Sequence, residues 1–246
     1  MATRATALSA GWAWHIPLTN RSGNGYVYSS RFIDAEAAER ELRAHTGVGD
    51  EVEARHLKMR VGRIENCWSG NCLAIGLAQG FVEPLEATAL HVVLATVEGF
   101  IGTLQRDGVT PESIAGFNAD IAARIEGIRD YLVCHYRAAR RSDSDYWRAA
   151  TGHDHLSDSL KSIFTSWFTG GDLAEEVERQ GIDRVYTPFS WHCLLAGYGN
   201  FPDPAKLVRP PVDPVDMAEV DRFVAGCASN FPSHADALAR LANTTS

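Results

Sequence analysis

Apolar residues in this chain first alternate with polar ones and later recur every three or four positions, and that change of period separates the predicted elements. Trp12, Trp14 and Ile16 alternate until Pro17 ends the run, as in a strand. The Ser22-Gly23-Asn24-Gly25 turn then opens a second apolar run at Tyr26, so a hairpin is expected between residues 10 and 32. Asp34 is a good N-cap for a helix over residues 35–45, with Glu36 and Glu39 in its early turns and Gly47 as its stop. Leu57, Met59 and Val61 alternate with Lys58 and Arg60, which predicts a half-buried strand, and residues 72–77 read as a short buried one. Pro84 fits a first helical turn and starts a helix carrying the apolar run from Leu90 to Leu104.

Beyond Gly108 the period is helical. Phe117, Ile121, Ile125, Ile128 and Leu132 mark an amphipathic helix to about Arg140. Leu160, Ile163, Phe164, Trp167 and Phe168 mark another, closed by Gly170-Gly171, and residues 191–196 are a further apolar segment. Half of the ten prolines fall between Pro202 and Pro214, an extended connector, and a last helix pair interrupted at Pro232 follows. The expected fold is mixed α+β: a sheet-containing part over 1–108 and a mostly helical part over 109–246.

Composition narrows the class. Hydrophobic residues make up 45% of the 246, enough for a globular core. The formal net charge of −8 argues against a nucleic-acid or anionic-membrane surface, since the longest basic cluster, Arg137 to Arg141, is a short solvated helix end. His91, Thr96, Glu98 and two glycines interrupt the run from Leu90 to Leu104, so no membrane span is expected, and the N-terminus has no signal-peptide core. The five cysteines are odd in number and form no C-x-x-C pair, which predicts reduced, mostly buried thiols and a cytoplasmic setting. His153 and His155 form the one close histidine pair, with no third ligand at metal-site spacing, so no metal is expected. Ser29, Ser30 and Ser190 lack a recognisable His–acid partner for nucleophilic catalysis.

The candidate chemistry lies in residues 71–90, NCLAIGLAQGFVEPLEATAL. Gly76 and Gly80 let a backbone approach a flat ligand, and Glu83 and Glu86 follow around Pro84. Thr88 and Ala89 fall in or near a helix start, where free backbone N–H groups and the dipole favour an anion. A buried strand–turn–helix with two solvated glutamates is the competing reading. Leu77 and Leu90 read equally well as core leucines, and Trp12 and Trp14 as two large residues on one strand face.

This segment resembles the flavin-dependent halogenase family, whose members carry a similar N-C-x-A-I-G-L-A-x-G-F-x-E-P-L-E-x-T stretch. A second family signature, W-x-W-x-I-P, stands here as Trp12-Ala13-Trp14-His15-Ile16-Pro17, followed by a similar run from Gly23 to Phe32. The resemblance implies reduced FAD, supplied by a separate flavin reductase, and chloride or bromide converted to hypohalous acid that halogenates an aromatic small molecule or peptide. It implies Glu86 as the catalytic carboxylate, Thr88 and Ala89 as the halide site, Leu77 and Leu90 against the flavin, and Trp12 and Trp14 as a wall between flavin and substrate. Ala87 and Ala89 depart from the serine, and the glycine or serine, common in the family. The family's G-x-G-x-x-G turn for FAD and its catalytic lysine are not among these residues. The expectation is therefore the C-terminal part of a halogenase, inactive alone, with a non-catalytic remnant or aromatic-binding module as the alternative. Halogenases of free tryptophan also carry paired tyrosines and a Phe-Trp pair before an aromatic-Cys-x-x-A-G run. Here that run is present from Trp191 to Gly197, but residues 170–190 hold one tyrosine, Tyr186, and no Phe-Trp pair.

Overall fold

Three strands at the front, β1 (Arg4–Leu8), β2 (Gly11–Pro17) and β3 (Ser22–Tyr28), form one sheet in the order β1-β2-β3. The β2–β3 pair is the expected hairpin. β1 was not anticipated: in RATAL the apolar Ala5 and Ala7 alternate but are small, and Leu8 follows out of phase. The computed structural model describes residues 2–206 and 217–244. The architecture is mixed α+β, as expected. Two compact units comprise Met1–Thr6, Ala13–Gly25 and Val208–Ser246 in one, and Ala7–Trp12 with Tyr26–Leu207 in the other.

In the larger unit, α1 (Ala35–Thr46) begins where Asp34 accepts the Ala37 N–H and stops at left-handed Gly47. The alternating stretch from Leu57 to Val61 is not a strand: it pairs with no strand among the described residues, and Leu57, Met59 and Val61 are exposed. Alternation predicts a face, but only a partner strand makes a ladder. Short strands follow, β4 (Gly62–Arg63), β5 (Trp68–Ser69), β6 (Cys72–Leu73) and β7 (Gly80–Phe81), paired antiparallel as β4–β7 and β5–β6. The buried strand expected over 72–77 shrinks to β6. The chain then turns at left-handed Gly76 into a 3-10 turn, Gly76–Ala78. Gly80 serves strand pairing: a Cβ there would stand 2.7 Å from the Gly62 carbonyl oxygen.

The long helices α2 (Ala89–Asp107) and α3 (Pro111–Ala138) pack on each other across the Gly108 turn, inside the same unit. Thr110 and Ser113 form a reciprocal capping box that starts α3. Trp68, Phe100 and Phe117 meet edge to face at 4.8–6.0 Å, with Ile121 and Ile125 completing the cluster. Buried Asn118 ties α3 to β5, accepting the Trp68 N–H at 2.9 Å and donating to its carbonyl at 2.8 Å. Further on lie α4 (Asp145–Gly152), α5 (Asp158–Thr169), α6 (Leu173–Arg179) and α7 (Pro188–Gly197). α5 ends at left-handed Gly170, as expected. The expected connector is described only as far as the 3-10 turn Pro204–Lys206, and residues 207–216 lie outside the described residues. In the smaller unit, α8 (Met217–Ser229) and α9 (His234–Thr244) are the expected last pair.

Two compositional expectations need correction. Leu85–Asp107 is, by length and composition alone, apolar enough to cross a membrane, with a mean hydropathy of 1.5. Thr96, which was expected to interrupt the run, is fully buried and satisfied by Gln79 and the Val92 carbonyl. The cysteines are not mostly buried: Cys67 and Cys134 are, Cys72, Cys193 and Cys227 are exposed, and none is in a disulfide.

Candidate active site

The helix expected to start at Pro84 does not start there. A 3-10 turn, Leu85–Ala87, follows Pro84, and within it Glu86 (φ 72°) and Ala87 (φ 52°) are left-handed. Non-glycine residues adopt this region at a cost of about 1–3 kcal/mol each and do so disproportionately at functional sites. Proline only admits the first turn; nothing in the identities of Glu86 and Ala87 announces the reversal. α2 then begins at Ala89, and Thr88, which is buried, provides no side-chain cap. The first N–H groups of a 19-residue helix are thus left without a side-chain partner beside an exposed carboxylate.

The strained turn aims its two glutamates into different surroundings. Glu83 is largely buried and accepts a hydrogen bond from the Tyr136 hydroxyl on α3. Burial raises its pKa above the ordinary carboxylate value, against the lowering effects of Tyr136 and His135. Tyr136 stacks on Trp147 of α4 at 6.0 Å, and Trp147 meets Trp12 edge-on at 5.6 Å. Trp147 is 1% exposed and donates its indole N–H to the Leu8 carbonyl at 2.7 Å. An aromatic chain therefore joins Trp12 of the first signature to Glu83 of the second, although 71 positions separate them. Trp14 lies in the other compact unit, half-buried.

Glu86 opens on a pocket of about 350 Å³ whose lining includes Tyr131, His135, Phe189 and Cys193. Its Oε1 is 2.9 Å from Nε2 of His135, and His135 holds its pKa below the ordinary carboxylate value against burial. That nitrogen is buried and faces the carboxylate at hydrogen-bond distance, off ideal alignment. On the other side of the ring, Nδ1 meets the Tyr198 hydroxyl at 3.2 Å. Tyr131 and Tyr186 stack at 3.6 Å and 8°, and Trp191 stands edge-on to Tyr131 at 4.7 Å. The buried Trp191 indole N–H has no hydrogen-bond partner among the described residues. Burial pushes the Tyr131 and Tyr186 hydroxyls well up, so both rings are neutral, aromatic walls.

Leu77 and Leu90 are 83% and 77% exposed, which removes the reading of both as core leucines. Exposed leucines beside a left-handed glycine fit the ring end of a flavin, and a helix start without a side-chain cap at Thr88 and Ala89 fits a small anion. Among the described residues, no group of three or more His, Cys, Asp or Glu could hold a metal ion.

Residue-level expectations thus converge only in part. Glu86, Thr88 and Ala89 share one turn, while Leu77 lies on the 3-10 turn that packs against α2. His135, Tyr131, Tyr136, Trp147 and Tyr198 were missed. The signal for the first three was present. Ile121, Ile125, Ile128 and Leu132 define the buried stripe of α3, and Tyr131, His135 and Tyr136 continue along it as polar aromatics where apolar residues are the rule.

The comparisons agree with this geometry at the level of family. The tryptophan halogenase model matches residues 1–212, and the chain belongs to that family of flavin-dependent halogenases. The 7-chloro-L-tryptophan 6-halogenase KtzR of Kutzneria sp. (strain 744) is 37% identical over 244 residues, covering 97% of this chain and 47% of KtzR. Among solved structures, a tryptophan halogenase from Shewanella frigidimarina NCIMB 400 superposes with a TM-score of 0.84 at 28% identity, covering 98% of this chain and 47% of that one. MibH, described as a lathipeptide tryptophan 5-halogenase, superposes at 0.72 with 27% identity, covering 86% and 41%. The chain spans less than half the length of each of these relatives.

Proposed function

We propose that this chain is the C-terminal, substrate-facing part of an FAD-dependent halogenase that chlorinates or brominates an aromatic, indole-like substrate. The observation that carries the reading is Glu86, a motif carboxylate held in a left-handed backbone at the mouth of an aromatic pocket. In this reading Glu86 orients the electrophile and stabilises positive charge developing on the substrate ring, which a preorganised carboxylate does best where water is scarce. Leu77 and Leu90 meet the flavin ring, the N–H groups of Thr88 and Ala89 hold the halide, and Trp12 and Trp14 separate flavin from substrate. Reduced FAD, delivered by a separate reductase, supplies hypohalous acid from O2 and halide when bound. Residues 1–108 act as the tail of the flavin-binding sheet domain and 109–246 as the helical cover of the substrate. Turnover needs the pyrophosphate turn and the catalytic lysine that the family carries outside these residues. The setting is cytoplasmic, and the apolar face of α2 is read as protein-covered, with no membrane and no nucleic acid as partner.

Free tryptophan is a poor substrate in this reading. Without paired tyrosines or a Phe-Trp pair before Trp191, its charged ends lack partners, at about 1–3 kcal/mol for each unpaired group. An indole without those ends, or one held within a larger molecule as the name of MibH describes, suits the pocket better.

The test is reconstitution with a polypeptide bearing the family's G-x-G-x-x-G turn and lysine, together with FAD, a flavin reductase, bromide and indole. Halogenated indole is read by mass spectrometry. Glu86→Gln is expected to lower kcat by about 10²–10³-fold with flavin affinity unchanged. Comparable turnover in the mutant at saturating indole removes Glu86 from the chemistry.

A further inference from the structure

His135 lies 49 positions from Glu86 in sequence, yet its Nε2 is 2.9 Å from the Glu86 carboxylate. Two bare acceptors at that distance repel, so one of them carries a proton. A carboxylate ionised at neutral pH only accepts, so the proton is on Nε2. Nδ1 stands 3.2 Å from the Tyr198 hydroxyl, which donates to it when the proton of a neutral imidazole is on Nε2. The ring is also fixed in direction, edge-on to Tyr131 at 5.3 Å and to Tyr198 at 5.9 Å. It cannot turn away from Glu86 without losing both aromatic contacts and the Tyr198 bond.

We propose that His135 is the positioning residue for Glu86: its Nε2–H, fixed by Tyr198 on Nδ1, holds Oε1 of the carboxylate so that Oε2 faces the substrate pocket. This rests on the reading of Glu86 as the reacting carboxylate. Glu86 stands on a turn of strained backbone with no helix behind it to fix its rotamer, so an anchor on one oxygen is what gives the other a direction. The same contact favours the ionised form of Glu86. The other ionisable groups packed about the pair are Glu83, Tyr131, Tyr186, Cys193, Tyr198 and Cys134. Tyr131, Tyr186, Cys134 and Tyr198 are all pushed upward, chiefly by burial, so none supplies a competing charge near neutrality.

The experiment is NMR on the 246-residue chain, with no flavin present. In the wild type, the ¹⁵N shifts of His135 are expected to report a protonated Nε2 at neutral pH, and the Glu86 carboxyl is expected to titrate below the ordinary glutamate value. His135→Phe keeps a ring without a donor and should raise the Glu86 titration, while His135→Gln keeps a donor and should restore part of the shift. Circular dichroism checks that both variants fold. In the reconstituted enzyme, His135→Phe is expected to lower kcat about 10–100-fold, the loss typical when an orienting partner is removed, with KM little changed and the acid limb of the pH profile moved up. A bare Nε2 in the wild type overturns the proposal even if His135→Phe fails to fold. So does a folded His135→Phe in which Glu86 titrates unchanged. Neither NMR result depends on halogenation, so their failure leaves the halogenase reading standing, whereas comparable turnover in Glu86→Gln would remove Glu86 from the chemistry and leave the NMR results untouched.

Discussion

Glu83 and Glu86 are three residues apart and belong to opposite kinds of environment. The Glu83 side is closed. Its carboxylate is buried against Tyr136, and Tyr136 leads through Trp147 to Trp12, so the group is part of the packing that locks α3 and α4 to the front strand. The Glu86 side is open, with a half-exposed carboxylate facing a pocket, a left-handed backbone and an imidazole beside it. One side stores stability and the other stores strain. Burial raises the pKa of the first and the hydrogen-bonding contact with His135 lowers that of the second, so one tetrapeptide carries two carboxylates with different roles.

The largest expected effect falls on the closed side. Trp147→Ala removes a fully buried indole from the middle of the aromatic chain and is expected to cost about 3–5 kcal/mol, read as a shift in urea midpoint. A loss under about 1 kcal/mol, the range of an ordinary surface change, would mean that the chain from Trp12 to Glu83 is not structural. A smaller effect is expected on the open side. Ala87 is left-handed, and a β-branched residue resists that conformation most, so Ala87→Val should destabilise by about 1–2 kcal/mol. Ala87→Gly is the control and should fall within about 1 kcal/mol of wild type, since relief of strain is offset by the freer unfolded chain. Equal stabilities for the two variants would remove backbone strain from the comparison.

The sequence made the closed side's framework more legible than the open side's chemistry. The α1 caps, Asp34 and Gly47, and the stripe of α3 are local signals, in which a residue type and its spacing suffice. The strand expected at Leu57–Val61 failed because a ladder needs a distant partner that periodicity does not report. The start of α2 was misplaced because proline marks where a helix is permitted, while the reversal at Glu86 and Ala87 is imposed by packing on residues with no intrinsic preference for it. Glu86 itself was found from its motif. His135 was not, since its meaning lies wholly in a contact made across 49 positions by the fold.

The smallest effect gives the most direct contrast, because the two carboxylates should bend the pH dependence of stability in opposite directions. Glu83 has a folded pKa above its ordinary value of 4.5, so its stabilising contribution is full below that value and is lost as pH rises through the folded pKa. Glu86 has a folded pKa below 4.5, so its contribution is full above that value and is lost as pH falls through the folded pKa. Wild type, Glu83→Gln and Glu86→Gln should therefore be compared by denaturant midpoint from about pH 3 to about pH 6, on both sides of the ordinary carboxylate value. The stability of wild type relative to Glu83→Gln is expected to decline as pH increases, and relative to Glu86→Gln to decline as pH decreases. Solvent screening at the half-exposed Glu86 makes its slope the shallower of the two. Slopes of the same sign would show that the two glutamates share one environment, and the division of the site into a closed and an open side would fall with that result.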